Sequence, residues 1–480
     1  MVKRQARVES TKETVSSADS NEVLVRDLRL QKPVPQKLLF ENGAQMKSIE
    51  NLIKKVLDVD FRPIMFFDDK KVEDISELVK IAKQGNGKLV TIDIRRHVNI
   101  EKIQVLRGKQ EDVTGEDFPY GVVVVKDEGV PMVRKRIEES AINFAFDALN
   151  DPARVGFNIP SRSAENIGYE DELKMVLMGN QLVQRMFRNL SSVQSVAQLS
   201  EMMRLIYNVL NENIHVTKRD LFYQNVNVFN KDQRVSDGLI EDLGAMLQVT
   251  RNSLNVIASA KGVVLGKLSF TEKGDVIDCS QGVGGRAITP MADLVDNIQS
   301  DAEFVLLIEK DAVFNRLAED RFWEYLPCII VTAKGQPDLA TRAFVKRLRS
   351  ELQIPIFGFM DADPYGLDIL RVYTIGSKAM SMETSELAVT DIKWLGLLPS
   401  DLDKYKIPKE ALIDMSERDM VRANELLNEE FVKTRPRWES EIKIMLKTGK
   451  KAEIQALSSK HLRFMSNEYL PSKIDSADWV

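Results

Sequence analysis

The strongest constraint on the fold is an alternation between residues 304 and 373. Apolar runs at Phe304–Ile308, Cys328–Thr332 and Ile354–Met360 alternate with amphipathic stretches at Val313–Trp323, Leu339–Leu352 and Tyr365–Tyr373. Apolar runs of strand length predict strands buried on both faces. Helices between them predict a parallel α/β sheet covered on both sides. Ligands of such sheets gather at the carboxyl ends of the strands. Three acids stand there: Glu309 after Phe304–Ile308, and Asp361 and Asp363 after Pro355–Met360. Positions i and i+2 of an extended chain share a side, so Asp361 and Asp363 are expected to converge on one cation, with Glu309 facing them. Neighbouring carboxylates repel unless a cation lies between them, and hard oxygen ligands suit Mg²⁺. The alternative is that both aspartates cap the helix that Pro364 and Gly366 begin.

Residues 131–280 have a different pattern. Amphipathic spacing predicts helices over Met132–Leu149, Leu199–Leu210, Ser236–Leu247 and Thr250–Ala258, the last with Thr250 as N-cap. Thr217 followed by Asp220 is a capping-box start for a helix over Lys218–Asn225. Val263–Phe270 and Val276–Asp278 flank Glu272-Lys-Gly-Asp275, a hairpin signal. Helices followed by a hairpin is the order of a winged helix-turn-helix, which sets a helix against DNA. Within Arg219-Asp-Leu-Phe-Tyr223, Arg219 and Tyr223 share a helical face. A tyrosine hydroxyl is a poor nucleophile at neutral pH; a neighbouring guanidinium favours the phenolate and binds a phosphate. The pair suits attack on a phosphodiester. Taken alone, such a pair is more often structural.

The rest is less specific. Residues 1–30 are polar and read as a disordered arm. Residues 31–130 read as a mixed α/β extension, with a helix over Val72–Ala82 and strands at Lys88–Ile94 and Tyr120–Val125, and with no chemical motif. Seven cations between Lys433 and Lys451 face only Glu439 and Glu441, a net +5 around Trp438. The stretch is either a phosphate-tracking face or a solvated helix face. Gln281-Gly-Val-Gly-Gly285 lacks the Lys-Ser/Thr of a phosphate loop and reads as a linker, so an ATP site is not expected.

Composition excludes several classes. A length of 480 residues predicts two to four domains at roughly 100–200 residues each. The longest apolar runs, such as Val122–Val125, fall far short of the roughly 20 residues of a membrane span. Met1 is followed by charges and no apolar core, so no secretory signal is expected. Cys279 and Cys328 cannot form a disulfide framework or a four-cysteine zinc site, which fits a reducing, intracellular setting. His97, His215 and His461 lack ligand spacing, so any metal falls to carboxylates. The net charge of −5 argues against a generally basic nucleic-acid coat.

Four motifs, Thr217-Lys-Arg-Asp-Leu-Phe-Tyr223, Leu306-Leu-Ile-Glu-Lys310, Ala333-Lys-Gly-Gln-Pro-Asp338 and Met360-Asp-Ala-Asp-Pro-Tyr-Gly366, come in the order found in the A subunits of DNA topoisomerase VI. The chain resembles that family, homologous to the meiotic double-strand-break transesterase, from about Met132 to Val480. Asp391-Ile-Lys-Trp-Leu-Gly-Leu and Lys450-Lys-Ala-Glu-Ile-Gln-Ala-Leu-Ser-Ser459 look like the topoisomerase branch. The resemblance implies a winged-helix (CAP-like) domain at 131–280 and a Toprim domain with a C-terminal elaboration at 300–480. It implies Tyr223 as nucleophile, with Phe222 where many members carry a second tyrosine, and Arg219 beside it. Glu309, Asp361 and Asp363 map onto the family's Mg²⁺ ligands. It further implies an ATP-dependent type IIB enzyme acting on double-stranded DNA. Two A subunits would pair with two ATP-binding B subunits in an A2B2 heterotetramer, each site shared between the two cleaving chains. The enzyme would be nuclear in a eukaryote and nucleoid-associated in an archaeon. The rivals are a dedicated break-forming transesterase that does not reseal, and a non-catalytic winged-helix DNA-binding protein.

Overall fold

A computed structural model describes residues 20–28, 35–41, 44–57, 59, 62–68, 70–84, 90–108, 118–151, 154–258, 260–282, 284–291 and 294–480. The chain divides into two compact units. The first comprises residues up to Asn99 together with Lys460–Ser472. Its elements are β1 (Ser20–Asp27), β2 (Gln36–Glu41), α1 (Met46–Leu57), β3 (Pro63–Phe67), β4 (Lys70–Lys71), α2 (Ile75–Gln84) and β5 (Thr91–Arg96). The sheet runs β2-β1-β5-β3-β4, with β1 and β5 parallel and every other pair antiparallel. Val23, Val25, Ile92 and Ile94 alternate inward against Ile49 and Ile53 of α1. This corrects the expected disordered arm in part. Residues 20–27 are a strand because Val23 and Val25 are fully buried; residues 1–19 and 29–30 lie outside the described residues. The expected strand at Lys88–Ile94 is β5, moved two to three residues on, with residues 88 and 89 also outside. In the same unit, the Asn467 side-chain amide donates to the Leu28 carbonyl at 3.1 Å.

The second unit comprises Ile100–Ser459 and Lys473–Val480. It opens with α3 (Glu101–Gln104) and α4 (Val130–Asn150). The strand expected at Tyr120–Val125 does not form; Val122 makes one isolated bridge to Gly179. Val123 and Val125 pack with Met178 and Ala245, and the Val123 amide donates to the Met178 carbonyl at 2.8 Å without extending into a strand. Next come β6 (Gly156–Pro160), β7 (Ile167–Glu170), β8 (Met175–Met178), β9 (Leu182–Met186), α5 (Val193–Glu212), β10 (Val216–Thr217), α6 (Lys218–Gln224) and α7 (Gln233–Leu247). Antiparallel β6 and β9 close over α5 and α7, and one hydrophobic core joins Phe157 and Ile159 to Leu199, Ile206, Leu239 and Leu243. The helix expected over Thr250–Ala258 is instead a single 3-10 turn at Asn252–Leu254, then β11 (Val256–Ile257). Asn255, at φ +55°, ends the turn, and parallel pairing with β10 takes the chain out of helical geometry.

The remaining strands are β12 (Val263–Gly266), β13 (Ser269–Glu272), β14 (Asp275–Asp278), β15 (Arg286–Ala287), β16 (Val295–Gln299), β17 (Phe304–Ile308), β18 (Cys328–Thr332), β19 (Ile356–Phe359) and β20 (Lys393–Gly396). Between them lie α8 (Asp311–Glu319), α9 (Phe322–Tyr325), α10 (Leu339–Leu352), α11 (Pro364–Ile375) and α12 (Thr384–Leu387). The six-stranded sheet runs β15-β12-β18-β17-β19-β20, with β18, β17, β19 and β20 parallel. The β13–β14 hairpin forms as expected, but it pairs with β16. Its Phe270, and Val264 of β12, share a core with Val305, Val331 and Phe344. The hairpin expected to follow the helices as their wing therefore packs with the sheet, because its apolar side faces Phe344 and its neighbours. The strands packed against the helices are β6 and β9, which precede them. Among the described residues no helix is long and apolar enough to cross a membrane.

Candidate active site

The helix α6 is short, and its two ends of support are local and tertiary. Thr217 is extended, and its side chain accepts from the Asp220 amide at 3.2 Å while the Asp220 carboxylate accepts from the Thr217 amide at 2.8 Å. The two bonds satisfy donors that a helix start leaves open. The Thr217 amide, and then the Thr217 hydroxyl at 2.8 Å, donate to the Asp220 carboxyl and hold it below its usual range. Leu221 and Phe222 enter the helical core, while Tyr223 is 61% exposed. The Phe222 ring lies 5.3 Å from the Tyr223 ring and fixes its base. The Arg219 guanidinium stands 5.8 Å from the Tyr223 ring centre and has no acidic partner among the described residues. A solvent-facing phenol with an uncommitted cation beside it is open to an anionic substrate.

The acidic edge is built differently. Glu309 follows the fully buried β17, and its Oε2 accepts from the Asp361 amide at 2.8 Å, tying two strand ends together. Asp363 is the N-cap of α11 and accepts from the Gly366 amide at 2.7 Å. Gly366 has to be glycine: a Cβ there would lie 2.6 Å from the Asp361 carbonyl and 3.2 Å from Glu309 Oε2. Asp361 is 4% exposed, and both its oxygens are engaged. Oδ1 accepts from the Ile454 amide at 2.9 Å, and Oδ2 meets the Lys310 ammonium at 2.8 Å. Lys310 also reaches Glu453 at 2.9 Å.

Burial, then the Asp361 charge, pushes Glu309 up to about 7. Burial also raises Asp361 and Asp363 above the usual carboxylate range, and the Asp361 charge adds to the rise at Asp363. Burial alone would lower Lys310, but its bonds to Asp361 and Glu453 lift it above its ordinary value. The three sequence-predicted carboxylates are thus electrostatic neighbours at one sheet edge. They do not stand as a preformed three-ligand cage: among the described residues no group of three acidic, histidine or cysteine side chains is set to hold a metal ion. The helix-cap alternative describes Asp363, and Asp361 is held by Lys310. The donors nonetheless fit a hard cation. They are oxygens, they raise one another's proton affinity, and the missing Cβ of Gly366 lets them approach.

Lys310 and Glu453 were not singled out in the sequence. Lys310 could have been, since it directly follows Glu309 at a strand end. Glu453 carries no local signal; the Ala362–Ala452 bridge brings it to the edge. The basic stretch is largely paired with acids, one of them buried. Lys433, Lys443, Lys450 and Lys451 pair with Glu430, Glu439, Asp414 and Asp419. Trp438 is 3% exposed and belongs to the core, so it offers no stacking platform. Cys279 and Cys328 are both buried and free, and burial pushes Cys279 up to about 12.

Residues 304–474 match the Toprim domain of the topoisomerase 6 A subunit and Spo11, and residues 194–256 match the type IIB DNA topoisomerase family. The DNA topoisomerase 6 A subunit of Arabidopsis thaliana is 48% identical over 349 residues, covering 72% of this chain and 81% of the relative. The meiotic recombination protein SPO11 of Homo sapiens is 37% identical over 345 residues, covering 70% and 87%. The type 2 DNA topoisomerase 6 A subunit of Hyperthermus butylicus is 37% identical over 346 residues, covering 67% and 89%.

Proposed function

The chain belongs to the family of topoisomerase 6 A subunits and Spo11, and from that premise we propose that it is the DNA-cleaving component of an ATP-dependent type IIB topoisomerase, with Tyr223 as its nucleophile. The observation that carries the assignment is the exposed Tyr223 on a capped helix, beside an Arg219 with no acidic partner among the described residues. The Tyr223 oxygen attacks a backbone phosphorus, the P–O3′ bond breaks, and the phenolic proton leaves. The enzyme is then joined to the 5′ phosphate, and the free 3′ hydroxyl reverses the step to reseal the strand. One phosphodiester replaces another, so cleavage itself needs no ATP. Arg219 is suited to hold the attacked phosphate and favour the phenolate.

Glu309, Asp361 and Asp363 are the residues that would hold Mg²⁺. When bound, the ion would supply charge stabilisation at the reacting phosphate. We read α5–α7 with β6 and β9 as the winged-helix module and β12–β20 with their helices as the Toprim module. The tyrosine and the carboxylates then lie on separate cores, which supports a site completed by a second copy of the chain in an A2B2 assembly with an ATP-binding B subunit. The greater identity to the plant topoisomerase chain than to SPO11 favours an enzyme that reseals over one that only breaks.

The test combines the purified chain with a candidate B subunit, supercoiled plasmid, ATP and Mg²⁺. Relaxed closed circles are expected; linear product without relaxation would favour the break-forming rival. Mixing Tyr223→Phe and Glu309→Gln protomers should restore single-strand nicking through the one intact composite site. No nicking from demonstrated heterodimers would sink the shared site and leave the residue roles standing.

A further inference from the structure

Asp361 is fixed on one side and releasable on the other. Its Oδ1 is held by the backbone amide of Ile454 at 2.9 Å, a donor that cannot leave without unfolding the local chain. Its Oδ2 is held at 2.8 Å by the ammonium of Lys310, a flexible side chain. The same ammonium lies 2.9 Å from Glu453 and 3.4 Å from the side-chain oxygen of Gln455. Glu453 is 53% exposed in its side chain, whereas Asp361 is 5% exposed. Lys310 therefore sits between a buried carboxylate that a metal would need and an exposed carboxylate that it would not. A cation approaching Asp361 meets an oxygen already occupied by a positive charge. Retreat toward Glu453 and Gln455 keeps Lys310 partnered while it frees that oxygen.

We propose that Lys310 is a built-in competitor for the divalent cation: it holds Asp361 Oδ2 until a cation displaces it and yields that oxygen by moving onto Glu453, so that Lys310 and Glu453 together set the cation affinity. This deepens the metal reading of the acidic edge and rests on it. Lys310 is a positioning residue, since it acts through Asp361. The arrangement has two consequences. It neutralises a buried carboxylate when no metal is bound, which an isolated buried charge could not survive without a large penalty. It also keeps the affinity moderate, since binding requires displacement of an internal cation.

Charge alone gives the same signs for single variants. Lys310→Met removes a nearby positive charge and Glu453→Gln a nearby negative one, so the test must be the coupling between them. Mg²⁺ binding is measured by titration calorimetry on the full chain and its variants, with no DNA present. Lys310→Met is expected to tighten Mg²⁺ about tenfold, one ion pair's worth of competition. Glu453→Gln is expected to weaken it several-fold in the wild-type background. In the Lys310→Met background Glu453→Gln should have a clearly smaller effect, that of its lost field alone, because no lysine remains to be received. Equal effects of Glu453→Gln in both backgrounds would overturn the exchange and leave only a field effect. An unchanged or weaker affinity in Lys310→Met would overturn it too. Should Lys310→Met fail to fold by thermal denaturation, Lys310→Gln, which keeps a hydrogen bond to Asp361 without the charge, enters the same cycle. Absence of saturable Mg²⁺ binding in wild type and in both lysine variants would instead overturn the metal reading itself. The two failures are thereby told apart, and neither readout uses DNA cleavage.

Discussion

The helix that bears Tyr223 and the sheet edge that bears Glu309, Asp361 and Asp363 both use a helix N-terminus, yet their reactive groups meet opposite surroundings. Thr217 caps α6, and the chain then turns Leu221 and Phe222 inward and leaves Tyr223 in solvent. Asp363 caps α11, but here the capping residue is itself a candidate ligand, next to Asp361 at 4% exposure. The proposed nucleophile is accessible on a short, capped element, as attack on a duplex would require. The carboxylates proposed to share a cation are packed where their charges are felt strongly. Loss of the tyrosine hydroxyl should therefore alter chemistry without stability, while changes at the edge should alter both.

Removal of the Tyr223 hydroxyl is expected to have the most severe consequence. Tyr223→Phe should cut the yield of protein linked to 5′ ends, trapped with denaturant, on the order of 10³-fold or more. Its unfolding free energy should stay within about 0.5 kcal/mol, as for an exposed change. Normal covalent yield would move the nucleophile elsewhere.

A second, smaller effect is expected where the turn that leads into β11 meets the start of α12. Glu383, 2% exposed, accepts from the Arg251 amide at 2.9 Å, and burial pushes its carboxyl up to about 7. The folded protein then holds a proton that the unfolded chain releases near pH 4.5. Stability from this group is complete below that value and is lost as pH rises through about 7, a change of roughly 3 kcal/mol. Urea midpoints at pH 5 and pH 8 should differ less in Glu383→Gln than in wild type. Equal differences would mean that Glu383 is already ionised in the fold.

Smaller effects sharpen the contrast between the two caps. Asp363→Ala removes both cap and charge and should cost about 1 kcal/mol, whereas Asp363→Asn keeps the cap and should cost only a few tenths. If both abolish Mg²⁺ binding while only the first lowers stability, the two roles of Asp363 are separated. Thr217→Ala should cost about 0.5 kcal/mol globally, since α6 is also anchored by Leu221 and Phe222. Its local mark should be faster amide exchange at Asp220 and a cleavage rate several-fold lower.

Much of this was legible because the signals are local. The strands Phe304–Ile308 and Cys328–Thr332 and the helix Leu339–Leu352 form with the bounds read from the chain, since uninterrupted apolar runs and helical spacing act over a few residues. The capping box of α6 is present as its Thr and Asp predicted. What local pattern could not give was choice of partner. Val263–Gly266 and the β13–β14 hairpin have the same sequence signature whether they cover helices or extend a sheet, and only packing against Val305, Val331 and Phe344 decided it. Val122–Val125 packs and makes one isolated bridge without becoming a strand, and 250–258 leaves helical geometry once β11 meets β10.

The same division runs through the candidate site. Residue type and strand-end position are properties of the chain, so the groups proposed to bear the chemistry can be read from it: Tyr223 with Arg219, and Glu309 with Asp361 and Asp363. What each group faces depends on packing between distant parts of the chain. Glu453 comes from a distant part of the chain to the Lys310 ammonium, Asp361 is held at both oxygens, and Asp363 spends one oxygen on a helix end. Charge interactions depend on distance through space, and a sequence records only distance along the chain.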